Sequence, residues 1–266
     1  HKTQGKEPHS GNQQGAGRSE GAKLWLYGLH TVTAALQNPA RQKLRLLTTQ
    51  NAAENLAARL GEINPPPEIT DSPAIAKQLP PGAVHQGIAL QVRPLPDRAL
   101  EVVCAKQENA QQRLVVVLDQ LTDPHNVGAI LRSAAAFGAS AVVLTGRNAP
   151  PPTGVLAKAA SGALDVVPLI YVTNLARALE QLAALGFWRV GLASEATQPI
   201  GEIDLTGDIA VVLGAEGSGM RHLTASKCDF IARLPTNQTL ASLNVSNAAA
   251  IILYEIVRRH SASQEI

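Results

Sequence analysis

The chain has 266 residues, enough for one large domain or two modest ones, and 45% of them are hydrophobic, which excludes a wholly disordered protein. Aromatics make up only 3%, so the core must be aliphatic, and RNA modules that stack bases on aromatic platforms are disfavoured. A net charge of +2 provides no global attraction for nucleic acid, so any such site has to be a local patch. Cys104 and Cys228 lie far apart and lack CxxC spacing, which argues against a disulfide framework or a cysteine zinc site and fits a reducing compartment. No apolar run has the length of a membrane span and the first residues are polar, so a soluble, cytoplasmic protein is expected.

Residues 1–21 contain no Val, Ile or Leu and are rich in Gly, Gln and Ser; they are expected to form a disordered tail. Residues 22–93 read as a small α/β domain. It has a strand or turn at 25–28, a short helix at 31–37, a strand at 43–48, a helix at 52–60 that stops at Gly61, and a last strand at 88–92. On the 43–48 strand, period-two alternation puts Leu44 and Leu46 on one face and Lys43 and Arg45 on the other. Those two cations could contact RNA phosphates, or could guard a solvated edge strand against aggregation. Residues 94–112 begin with prolines and end polar, as a linker would. From 113 to 260 a larger α/β unit follows. Strands are expected at 114–118, 141–144, 166–170, 188–193, 209–213 and 230–234, and helices at 126–137, 175–185 and 245–258. The run at 114–118 is continuously apolar, the mark of a strand buried on both faces of a parallel sheet. Strands alternating with helices predict a doubly wound parallel sheet with its ligand at the carboxyl ends of the strands.

Three loops carry the chemistry. In the first, from Asp119 to Ser140, Asp123-Pro124 reads as a helix cap with a first-turn proline, and Gly128 and Gly138 as helix punctuation. Asn126 and Arg132, on the same helix, are not needed for that punctuation, although Arg132 could equally be a solvated surface residue. In the second, from Val211 to Met220, three glycines surround Glu216 at the end of a buried strand. Glycines there let backbone approach a ligand, yet the spacing is neither GxGxxG nor a Walker loop. The lone carboxylate is the informative part, since a bare turn does not need one. In the third, from Leu234 onward, Ser242, Asn244, Ser246 and Asn247 crowd the start of an apolar helix. Capping explains one or two of these, and the rest should face a ligand or another polar loop.

In order and spacing, Asn126-Val127-Gly128 with Arg132, Gly214-Ala215-Glu216-Gly217 with Gly219-Met220, and Ser242-Leu243-Asn244-Val245-Ser246 closely resemble the three signature motifs of the SpoU/TrmH methyltransferases. Tyr27-Gly28-Leu29-His30 and His85-Gln86-Gly87-Ile88 are similar to the small ribosomal-protein-like domain of the branch that methylates a guanosine of large-subunit rRNA. One departure lies after Pro235, where the family's Met and Gly are replaced by Thr236, Asn237 and Gln238. The resemblance implies the SPOUT α/β-knot, whose C-terminal segment threads into a trefoil, plus a substrate-binding N-terminal domain and a homodimer. It implies S-adenosylmethionine as cofactor against Gly214, Leu234 and Leu243, and 2′-O-methylation of 23S rRNA. Asn126, Arg132, Glu216, Ser242 and Asn244 would serve the reaction: Arg132 at the hydroxyl, Asn126, Ser242 and Asn244 orienting it and the ribose, and Glu216 holding the loops and pairing with Arg132. A tRNA substrate is the alternative within the family and a silent RNA-binding homologue the alternative outside catalysis. The additional N-terminal domain favours rRNA, because tRNA-modifying relatives usually lack it. No metal is expected, since neither a His/Cys cluster nor a carboxylate pair has ligand spacing.

Overall fold

A computed structural model describes residues 22–106, 112–147, 149–237 and 243–264; the tail expected at 1–21 lies outside them. The N-terminal part contains β1 (Leu24–Tyr27), α1 (Leu29–Gln37), β2 (Lys43–Thr48), α2 (Gln50–Leu60), β3 (Pro67–Ile69), α3 (Ser72–Ala76) and β4 (Ile88–Val92). Its four strands form a sheet in the order β1-β4-β2-β3, in which β4 runs antiparallel to both neighbours and β3 parallel to β2. The alternation expected along β2 breaks at an irregularity in the ladder between Lys43 and Arg45. Beyond it both faces are covered. Leu46 joins the main core, whereas Leu47 joins Tyr27, Ile75 and Leu79 in a second cluster beneath α3.

The segment expected to be a linker contains α4 (Leu100–Val103), whose Leu100, together with Cys104, is buried in a core of the following domain. Arg113 fastens this junction. Its guanidinium donates to Cys104 O at 2.6 Å and Leu185 O at 2.8 Å, pairs with Asp208 at 2.6 Å, and lies 4.5 Å from the centre of the Phe187 ring.

The larger part runs β5 (Leu114–Asp119), α5 (Pro124–Ala136), β6 (Ala141–Thr145), α6 (Gly154–Ala159), β7 (Leu169–Val172), α7 (Leu175–Ala184), β8 (Trp188–Leu192), β9 (Gln198–Pro199), β10 (Ile209–Gly214), α8 (His222–Ala225), β11 (Phe230–Arg233) and α9 (Val245–Gln264). Seven strands pair in parallel in the order β7-β6-β5-β10-β8-β11-β9. The apolar run in β5 has the physical cause inferred for it: Leu114, Val116 and Leu118 enter one core and Val115 and Val117 the other. The strand expected at 166–170 lies instead at Leu169–Val172. Residues 163–165 form a 3-10 turn in which Val166 and Val167 both donate to Ala163 O, so extended chain begins only after it. After Pro150, Pro151 and Pro152 the chain forms α6, a helix not among those expected.

Gly128 is not punctuation. It sits inside α5, where a Cβ would come within 2.5 Å of the Ala159 methyl and 2.9 Å of backbone atoms of Leu156 and Ala160. Glycine lets α6 pack directly on α5. The carboxyl ends of β5 and β10 are aligned, with Asp119 opposite Gly214, and this alignment brings the motif loops together.

Candidate active site

Asp123 accepts the His125 N–H at 2.9 Å and Pro124 opens α5, which places Asn126 in the first turn of the helix. At the end of β10 the chain turns tightly. Gly219 N–H donates to Ala215 O at 2.9 Å, and the returning backbone of Gly219 and Met220 lies so close to Gly214 that no Cβ could be accommodated there. Arg221, just beyond, is held by the fully buried Asp119: its N–H and Nε each donate at 2.8 Å, and Nη2 lies 2.7 Å from Oδ1. A buried carboxylate is costly unless paired, so this contact fixes the glycine loop to the end of β5. The sequence reading missed it. The available signal was a charged residue ending an apolar strand and an arginine ending the glycine loop.

Asn244 immediately precedes α9 and joins all three loops. Its Nδ2 donates to Glu216 Oε1 at 2.5 Å and to Asn126 Oδ1 at 3.1 Å, while its Oδ1 accepts from Ser246 N at 2.9 Å and Ser246 Oγ at 2.5 Å. Glu216 Oε1 also accepts the Val245 N–H at 3.2 Å, which sets a carboxylate at the positive end of the 20-residue α9. Within a single chain, Glu216 and Arg132, whose pairing the resemblance implies, do not meet. The carboxylate is turned to Asn244 and Val245, and Arg132 is exposed on α5 with no hydrogen bond or ion pair to the described residues. Ser242 lies outside the described residues.

Beside this junction, at the carboxyl ends of β8 and β10, is a cavity of about 450 Å³. Gly214, Leu234 and Leu243 all line it, along with Leu192, Glu195 and Thr236. Apolar side chains and glycine backbone around a few polar groups suit a purine nucleoside carrying an amino-acid arm. Among the described residues no group of three or more His, Cys, Asp or Glu could hold a metal ion. Lys43 and Arg45 sit on the other sheet. Arg45 is not free, because its guanidinium forms a forked pair with Glu68 on β3, with contacts of 2.7 to 2.9 Å. The pair holds the Glu68 carboxyl below the usual carboxylate range.

The fold and these loops define a parallel-sheet α/β enzyme with a ligand cavity at its strand ends, and comparison with known proteins agrees. A model of the SpoU rRNA Methylase family matches residues 113–254, and one described as RNA 2′-O ribose methyltransferase substrate binding matches residues 25–98. The chain is 40% identical over 253 residues to the 23S rRNA (guanosine-2′-O-)-methyltransferase RlmB of Vibrio cholerae, covering 90% of this chain and 98% of that one. It is 38% identical over 241 residues to the protein of the same name from Pseudomonas aeruginosa, covering 89% and 96%. In fold it is similar to the SpoU methyltransferase AviRb of Streptomyces viridochromogenes, solved with AdoMet, with a TM-score of 0.73, 23% identity, and coverage of 89% and 90%. The chain belongs to the SpoU rRNA methylase family.

Proposed function

We propose that this chain transfers a methyl group from S-adenosylmethionine to the ribose 2′-hydroxyl of a guanosine in 23S rRNA. The observation that carries this reading is the Asn126–Asn244–Glu216 junction beside the cavity lined by Gly214, Leu234 and Leu243. Relatives that match almost end to end and carry that activity in their names support it.

Gly214 and the loop folded on it would hold the cofactor mainly through backbone, with Leu234 and Leu243 flanking the base. When bound, the cofactor supplies a methyl group on a sulfonium, an electrophile that needs no metal. The protein's own tasks are to align the hydroxyl, assist loss of its proton and stabilise developing negative charge. Arg132 serves that last task. A guanidinium stays protonated in proteins, so it stabilises an alkoxide or a phosphate rather than accepting a proton. Asn126 orients the ribose, held in place by Asn244, which Glu216 fixes in turn. In this reading the active form is a homodimer. Support comes from α9, which leaves Ile251 and Tyr254 45% and 56% exposed one turn apart, with Tyr254 packed edge-on to Phe137 after α5. Both side chains stand on the helix that begins at the Asn244 junction, and a second copy would cover them. The C-terminal trefoil knot remains an implication of the family.

The test is methyl transfer from labelled S-adenosylmethionine to 23S rRNA, followed by nuclease digestion and mass spectrometry. A 2′-O-methylguanosine is expected; label on a base instead of a ribose would sink the proposed chemistry.

A further inference from the structure

Lys158 projects from α6 into the seam between the two domains, on the side of the N-terminal domain that carries its two characteristic loops. Its Nζ donates to Gln86 Oε1 at 2.9 Å, and the same oxygen accepts the Leu29 N–H at 3.2 Å. The ammonium lies directly over Gly28, where a Cβ would press on Nζ and displace the end of the lysine side chain. Gln86 holds its place in a left-handed conformation, φ 57°, and Ser161, three residues after the lysine, does so at φ 50°. Non-glycine residues pay for that backbone geometry in strain, and such strain concentrates at functional sites.

The pairing is electrostatically incomplete. Among the described residues no carboxylate contacts Lys158, whose partner is the neutral amide of Gln86. Burial in the seam holds the ammonium below the ordinary lysine range, with no opposite charge to offset it. A latch between domains would be served better by a neutral side chain or by an ion pair, as Arg41 and Asp165 demonstrate in the same seam at 2.8 Å. A half-buried cation left with unused donors is suited to an anion from outside. Its position suggests which anion. Ala159 and Ala160, the next two residues, pack on Gly128, two positions from Asn126. The lysine is thus carried by the helix that packs on both the N-terminal domain and α5, the helix that bears the motif-one asparagine.

We infer that Lys158, positioned by Gln86, binds a backbone phosphate of the RNA substrate at the domain seam and guides the strand from the N-terminal domain to the Asn126–Asn244 site. This rests on the RNA substrate proposed above. It extends RNA binding to a residue of the larger domain and adds the seam to the β2 cations as an electrostatic contact.

The experiment measures binding of in vitro transcribed 23S rRNA across a potassium chloride series, with methyl transfer and thermal melting run in parallel. For Lys158→Gln, loss of one phosphate contact should weaken binding by roughly fivefold and flatten the log–log salt dependence by about 0.7 to 0.9. Lys158→Arg should keep the wild-type slope. Gln86→Ala, which frees the lysine without removing its charge, should weaken binding less and leave the slope unchanged. A latch would instead show a lower melting temperature for Lys158→Gln with an unaltered salt slope, and that result overturns the inference. Wild-type methyl transfer with an unaltered slope in Lys158→Gln overturns the lysine's role alone. Failure of the wild-type chain both to bind and to methylate 23S rRNA overturns the substrate reading, and this inference with it.

Discussion

Asn244 uses both amide hydrogens and its carbonyl oxygen within the protein, on Asn126, Glu216 and Ser246. Arg132 is its opposite: exposed, with no described partner, and so available to a substrate. Lysine and alanine substitutions at Arg132 separate two roles. If the guanidinium clamps ribose or phosphate as a planar fork, Arg132→Lys should be almost as poor as Arg132→Ala, because a lysine cannot reproduce the paired hydrogen bonds. We expect this outcome in single-turnover methyl transfer, with a loss of roughly a hundredfold or more, the scale of removing one transition-state donor. Cofactor affinity should stay within a few-fold, since Arg132 does not line the cavity. Near-normal single-turnover rates for Arg132→Ala would make it a surface residue of an ordinary helix. At this scale the motif polar residues were legible because capping needs do not account for so many of them at one helix start. The Asp119–Arg221 contact was not, because 102 residues separate the partners and only the β5–β10 register brings them together.

At the scale of elements, α9 must present Asn244 at one end while its second half is fastened. Glu255 provides the fastening. It accepts from Arg258 and Arg259, and Arg259 donates onward to Ile203 O at 2.9 Å and Gly201 O at 3.2 Å. Hydrogen bonds from Arg258 and then Arg259 outweigh partial burial and hold the Glu255 carboxyl at about 2, against an ordinary value of 4.5. The folded-state value is depressed, so the contribution is fully present above about pH 4.5 and is lost as pH falls toward 2. Glu255→Gln should therefore melt below wild type at pH 7, with the gap closing between pH 4.5 and 2; thermal melts across that range check it, and a gap independent of pH would refute the assignment. Long periodic helices and buried strands could be read from sequence because their apolar pattern is dictated by the cores they enter. Helix α6 escaped because it has six residues and follows three prolines, and α4 because it has four in a polar stretch. Both are fixed by tertiary packing, α6 on α5 through Gly128 and α4 through Leu100 and Cys104.

For the whole molecule, the sequence suggests two units joined by a linker, whereas the structure joins them through one core. Leu26, Val32 and Leu90 of the N-terminal part belong to the same buried cluster as Leu156, Ala160 and Leu164 of the larger one. Gly154 lies so close to Trp25 and Tyr27, and Gly162 to His30 and Ala34, that neither site has room for a Cβ. Asp165, whose side chain is 1% exposed, accepts from Asn38 at 3.0 Å and Arg41 at 2.8 Å across the boundary. Deleting everything before residue 94 would remove both donors and leave a carboxylate in an uncovered apolar face. The carboxylate is then hydrated, and the larger cost is apolar: returning Leu156 and Leu164 to water costs about 1.5 to 3 kcal/mol each. For a fragment of this size each kcal/mol is worth roughly 2 to 4 °C, so the fragment should melt about 10 °C or more below the full chain. Asp165→Asn in the full chain isolates the electrostatic share, and it should account for part of that drop while leaving the apolar contacts intact. Differential scanning calorimetry of the three proteins decides the matter. A fragment melting within a few degrees of the full chain would mean that the N-terminal domain rests on its neighbour without stabilising it, and the seam would then be a docking contact free to open.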